Sequence, residues 1–314
     1  MTTRIALALI LIGGSALAQN LPPVASQPPG SVNYLSPGVP PDLALGAYQR
    51  GYFLTAMAEA KKRIDVNKND AAAMTLIAQL YKDGSGVRQD LAEAARWFRL
   101  AADRGDPEAA FSLAIAYLEG KGVEQNTQKA LPLLEAAAGK EHPAALYQLG
   151  LQSLNGEIQN APRAADLFRR AAAAGDYDAT YALGLMYKEG RGVAKDSRRA
   201  AEYLRAAADS RLAAAEVDYA IMLFNGDGVE KNEEAAAKYF LRAANAGNPV
   251  AMNRIARMYV AGRGVAVNLV EAMKWHILAR SAGERDEFLE SQMNRLTPRE
   301  RASVEESVRK QVGP

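Results

Sequence analysis

Between residues 70 and 283 the apolar positions fall into a repeated frame. A run of Ala, Leu and Tyr at helical spacing, as in Leu183-Gly184-Leu185-Met186-Tyr187, is followed by glycines, a polar residue and a second apolar run ending in paired alanines. The frame is marked by Gly-x-Gly-Val at Gly84, Gly120, Gly190, Gly226 and Gly262, with a worn copy at Gly156-Glu157-Ile158. The step is 36 residues except across the worn copy, where it is 34, and the missing two fall between Gly156 and Asn160. Self-similarity at such a period signals a stacked array of supersecondary units.

Each copy reads as two helices. The first glycine of the marker stands where a helix C-terminus takes a left-handed residue, so helix A ends there. Asp90, Asn126, Asn160, Asp196, Asn232 and Asn268 follow, residues whose side chains accept from the free amides of a helix start, so helix B begins there. Helix B carries Trp97, Leu133, Leu167, Tyr203, Tyr239 and Trp275 in one register. Asp70, Asp106, Asp176 and Asn248 cap the next helix A, while His142 and Leu212 depart from that pattern. Alanine and glycine let helices approach closely and the aromatics fill the gaps; one pair cannot bury its faces alone, so copies stack into an α-solenoid.

The pattern Ala-x-x-x-Leu-Gly-x-x-Tyr-x-x-Gly-x-Gly-Val, followed by Asp or Asn and an alanine-rich helix, resembles the Sel-one-like repeat (SLR), a relative of the tetratricopeptide repeat, across residues 70–283. The resemblance implies an all-α, right-handed α-solenoid of about six helix pairs. It also implies a non-enzymatic scaffold that assembles or regulates other proteins, in bacteria often in the envelope, where some members act on sensor kinases. It names no partner.

The flanks complete the plan. Residues 42–69 read as a divergent tetratricopeptide-type helix pair, and 284–314 as capping helices. Thr297-Pro298-Arg299-Glu300 places a capping threonine, a proline at the first helical position and a glutamate at the third, predicting a helix from 298 to about 310. At the start, Arg4, the apolar run Ile5–Ile12 and Ala16-Leu17-Ala18 predict a cleaved secretory signal over 1–18. Its eight-residue apolar run is far short of the ~20 needed to span a bilayer. Export followed by cleavage predicts a periplasmic protein without a stable membrane anchor. Residues 19–41 hold seven of the fourteen prolines and read as an extended linker.

Charge and composition narrow the chemistry. With 38 basic and 36 acidic residues interspersed, no basic block points to nucleic acid. The absence of cysteine removes disulfides, thiolate metal sites and a lipoprotein anchor. Two histidines, His142 and His276, stand four copies apart, so neither a histidine metal triad nor a Ser-His-Asp arrangement can assemble. The glycine markers follow helices, not strands, and read as turns, not as phosphate cradles. No cofactor is expected.

The candidate site is a second apolar stripe on helix A, about 120 degrees from the face that carries the Leu, Gly/Ala and Tyr positions. It comprises Phe111, Ile115 and Leu118; Tyr147, Leu151 and Leu154; Tyr181, Leu185 and Lys188; Val217, Ile221 and Phe224. In the end copies it becomes Thr75/Gln79/Lys82 and Asn253/Arg257/Val260. Either it packs between repeats, or it is a groove for a peptide or helix of another protein, with Phe111, Tyr147, Tyr181 and Phe224 as anchors. A cell-wall glycan module is the alternative; it would need exposed platforms such as Trp97 and Trp275. Pro132, inside a predicted helix B, precedes the shortened Gly156 to Asn160 loop by one repeat, so copies 2 and 3 should show a kink or a changed superhelical pitch.

Overall fold

The computed structural model describes residues 42–155 and 159–312, and among these there is no strand. A leading pair, α1 (Leu43–Gln49) and α2 (Phe53–Val66), precedes six repeats. These are α3 (Ala71–Asp83) with α4 (Leu91–Ala102), α5 (Pro107–Glu119) with α6 (Thr127–Ala138), and α7 (Pro143–Asn155) with α8 (Ala161–Ala173). Then come α9 (Tyr177–Glu189) with α10 (Ser197–Asp209), α11 (Ala213–Asn225) with α12 (Glu233–Asn245), and α13 (Pro249–Ala261) with α14 (Leu269–Ser281). α15 (Glu287–Gln292), a 3-10 turn (Met293–Arg295) and α16 (Pro298–Val312) close the array. Each helix packs chiefly on its neighbours in sequence, the arrangement of an α-solenoid. The segments read as export signal (1–18) and linker (19–41), and the worn marker at 156–158, lie outside the described residues.

Local chemistry sets the helix ends. All six helix B caps accept from the amide two or three residues on, as Asp90 does from Glu93 at 2.9 Å and Asn232 from Ala235 at 2.8 Å. The first marker glycine ends helix A in the left-handed region, from φ 66° at Gly262 to 75° at Gly190. Across the intervening loop, the N–H of the capping residue donates back to the end of helix A, Asp90 to Tyr81 O at 3.0 Å and Asp196 to Tyr187 O at 2.9 Å. In the shortened copy the bond persists, from Asn160 N to Ser153 O at 2.7 Å.

The second marker glycine joins repeats. At Gly228, φ is +69° and a Cβ would lie 2.1 Å from Ser197 O, at the first turn of the preceding helix B; Gly122 and Gly264 meet Leu91 O and Glu233 O in the same way. Only glycine fits a left-handed turn pressed against a neighbouring backbone. Gly86 makes the equivalent approach to Phe53, so α1 and α2 stack in the register of a repeat.

The core column lies one residue beyond the helix B register expected from sequence. Phe98, Leu134, Phe168, Leu204, Phe240 and His276 are each at most 3% exposed, whereas of the expected register only Leu167 and Trp275 are buried and Trp97, Leu133, Tyr203 and Tyr239 are half-buried. Opposite this column, helix A supplies Ala78, Ala114, Gly150, Gly184, Ala220 and Ala256, all buried. A Cβ on Gly150 would come within 2.4 Å of the Phe168 ring, so the small residue sets the spacing within that pair. α6 runs unbroken through Pro132, which sits on its exposed face.

Candidate partner-binding surface

The helix A stripe is neither core nor free surface. Phe111, Ile115 and Leu118 on α5, Tyr147 and Leu151 on α7, Tyr181 and Leu185 on α9, and Ile221 and Phe224 on α11 are all half-buried; Leu154 and Val217 are buried. All the half-buried members except Ile115 pack onto the continuous core, leaving one edge open. Two cavities lie on the stripe. One of about 150 Å³ is lined by Phe98, Phe111 and Ile115; the other, of about 430 Å³, by Ile221, Phe224, Phe240 and Met258. Phe111 and Ile115 thus come together at one end, and Ile221 and Phe224 at the other.

Between them the tyrosines are tethered. Tyr147 lies against Phe168, ring centroids 5.6 Å apart. Tyr181 donates its hydroxyl to Asp218 at 2.8 Å, and Lys188 donates to the other oxygen of the same carboxylate at 2.7 Å. Burial, with the Asp218 charge beside it, pushes the Tyr181 phenol well above its ordinary range.

Beside Phe111 the structure corrects the reading of His142. Its ring stacks on Phe111 at 4.8 Å, and its Nδ1 accepts the Ala145 amide at 3.2 Å, so His142 does cap α7. Because Nδ1 accepts, Nε2 carries the proton and donates to Glu108 Oε2 at 3.0 Å. That hydrogen bond holds the Glu108 carboxyl below its usual range against the opposing effect of burial. Leu212 provides no side-chain cap, as expected.

The stripe turns polar in the last copy for a reason the sequence did not reveal. Asn253 and Arg257 both donate to Asp286, the N-cap of α15, so these positions hold the C-terminal cap. Sequence reasoning missed Asp286, Arg254 and Phe288 as part of this surface. The signal available was an arginine at an otherwise apolar position, which calls for a carboxylate partner. At the other end Gln79 donates to Asp83, which also accepts from Tyr48.

Trp275 is 2% exposed and Trp97 is half-buried against the core, so neither offers the aromatic platform that a glycan module would need. Among the described residues no group of three or more His, Asp or Glu side chains is placed to hold a metal, and no helix is long and apolar enough to cross a membrane.

Stacked helix pairs, glycine-locked contacts between repeats and a lined apolar edge define a solenoid repeat protein of the interaction-scaffold class. The chain belongs to the Sel1 repeat family: the Sel1 repeat matches residues 71–106, 107–142, 143–176, 178–211, 213–248 and 249–284. Repeats of this family are in general non-catalytic scaffolds for protein–protein contact. A Sel1 repeat protein from Oxalobacter formigenes is 28% identical, with 76% of this chain and 97% of that one covered at a TM-score of 0.65. A protective antigen of uropathogenic Escherichia coli with an SLR fold is 23% identical, with 86% and 67% covered at a TM-score of 0.58. No curated protein matches the chain.

Proposed function

We propose that this protein is a periplasmic adaptor that binds another protein along the helix A stripe and thereby regulates a membrane sensor or an envelope assembly. The observation that carries the binding face is the run of half-buried apolar side chains from Phe111 to Phe224 across four consecutive repeats, packed at one edge and open at the other. The periplasmic part rests on the export-signal pattern of residues 1–18. A partner helix or extended peptide suits such a surface because a row of apolar sockets takes side chains at regular spacing.

In-cell crosslinking of tagged protein, with mass spectrometry of captured envelope proteins, tests this. A stoichiometric partner that is lost in the Tyr147→Ala/Tyr181→Ala variant, with the helical circular-dichroism signal kept, is the expected result. Capture that is unchanged in the variant would remove the stripe from the account. Recovery of the wild-type chain only in the cytoplasmic fraction, with residues 1–18 retained, would remove the compartment.

A further inference from the structure

The stripe ends in a cavity with a chemistry of its own. Its floor is apolar, formed by Ile221 and Phe224 of α11, Phe240 of α12 and Met258 of α13, and Phe288 of α15 stands beside it. The charged side chains that line it are Arg254, Arg257 and Arg263; Glu284, Asp286 and Glu287 line the adjoining hollow, which shares Arg254, Arg257 and Phe288 with it. Two of these guanidiniums are already engaged. Arg257 binds Asp286 and lies 5.3 Å from the centroid of the Phe288 ring; Arg263 binds Glu233 and lies 4.0 Å from that of Phe224. Arg254 is exposed and makes no hydrogen bond or ion pair among the described residues. Phe288 is 45% exposed, a large aromatic left at the mouth of an apolar hollow. The volume, about 430 Å³, is that of a pocket able to take a large side chain, not a surface dimple.

We infer that this cavity is a docking site for an acidic segment of a partner protein, with an apolar side chain filling the floor between Phe224 and Met258 and a neighbouring Asp or Glu meeting Arg254. The inference rests on the adaptor reading above and narrows it to a class of sequence. The charge decides the class. Arg254 is the lining guanidinium without a carboxylate partner, so an Asp or Glu on the segment gains a charge-assisted partner there, whereas a purely apolar segment leaves it unmet and a basic one adds an unpaired like charge. The chain's own residues 20–41 carry no charged side chain and so cannot supply the carboxylate.

The test is selection of random twelve-residue peptides displayed on phage against the purified chain from residue 19 onward, followed by titration of the enriched peptides in synthetic form. Enrichment of an aromatic or large aliphatic residue with Asp or Glu within a few positions is expected. Affinity should fall at least about tenfold with Arg254→Glu, and weaken as salt rises. Arg254 holds nothing in place, so this variant should keep the wild-type circular-dichroism spectrum and melting temperature; Met258→Gln, which alters the floor, provides the second reading. Peptides without acidic residues, or binding indifferent to both variants, overturn the inference. If such peptides instead lose affinity in the Tyr147→Ala/Tyr181→Ala variant, the adaptor reading stands while this one falls. Self-association abolished by Arg254→Glu would place a second copy in the cavity and also overturn it.

Discussion

Arg257 grips Asp286 with two parallel hydrogen bonds, Nε to one carboxylate oxygen at 2.6 Å and Nη2 to the other at 2.9 Å. Asn253 adds a third donor at 2.9 Å, and the Leu289 amide a fourth at 3.2 Å. One carboxylate therefore starts α15 and ties it to the last repeat. Asp286→Ala removes a helix cap, worth about 1 kcal/mol, and charge-assisted hydrogen bonds worth roughly 1.5–3 kcal/mol. The expected loss is about 2–4 kcal/mol, concentrated in the cap. Hydrogen exchange should show residues 287–312 losing protection while α5 to α10 keep theirs; uniform loss would mean that the cap and array unfold as one.

The same carboxylate makes the cap sensitive to acid. Burial pushes the Asp286 carboxyl up, but the donors from Arg257, Asn253 and Leu289 together outweigh it, and the net shift is downward. A carboxyl lowered in the folded state binds fewer protons there than in the unfolded chain. Its stabilisation is thus complete above the ordinary Asp value near 4 and is lost as pH falls through the lower folded value. Exchange protection of 287–312 should drop over that acid range in the wild type. In Asp286→Asn it should start lower and vary less; a parallel fall in both would assign the acid response to other groups.

His276 occupies the core column where five repeats carry Phe or Leu. It is fully buried; Nδ1 has no hydrogen-bond partner, and Nε2 has only a long, poorly aligned approach to Glu290 Oε1 at 3.3 Å. A buried polar group without a partner costs about 1–3 kcal/mol. His276→Leu, close in volume, should therefore raise the melting temperature at pH 8, and an unchanged or lower value would show that the ring has a partner in solution.

That column also shows where sequence reading stops. Each helix B places two large residues side by side, Trp97-Phe98, Leu133-Leu134, Leu167-Phe168, Tyr203-Leu204, Tyr239-Phe240 and Trp275-His276. Adjacent positions are only ~100 degrees apart, so periodicity finds the face but not which member goes deepest. Helix ends were legible because caps and left-handed glycines act locally. His142 was not, because an imidazole cap depends on Glu108 from the preceding repeat to fix its tautomer. The stripe was legible as far as Phe224. Its boundary was not, since Asp286 lies 29 residues beyond Arg257 and meets it only once the array has stacked.

Two glycines separate backbone strain from contact between repeats. Gly228 has φ +69° and no room for a Cβ beside Ser197 O; Gly247 has φ +89° and nothing within 4 Å. Alanine at either site meets the cost of a left-handed residue, about 1–2 kcal/mol. Gly228→Ala must in addition push α10 away, an overpacking cost of about 1–3 kcal/mol. Urea titration should rank Gly228→Ala clearly below Gly247→Ala; equal midpoints would mean that the neighbouring repeat moves aside freely.

Pro132 tests whether the irregular second repeat is tolerated drift or a specialised feature. It lies six residues past the Asn126 cap, where its missing N–H leaves the Gln128 carbonyl without a helical donor and its ring crowds that turn. A proline inside a helix costs about 3 kcal/mol, offset by up to about 1 kcal/mol because it also restricts the unfolded chain. Pro132→Ala should therefore stabilise the protein by about 2 kcal/mol, read as a higher urea midpoint with the slope unchanged. Its exposed position on α6 means that no core contact is lost in the exchange. If the variant is more stable and still captures the same partner in cells, the proline is drift that a solenoid absorbs locally, because each repeat answers only to its neighbours. If stability rises but capture through the Phe111 end of the stripe fails, the irregular turn of α6 shapes the binding face, and its cost is borne for function.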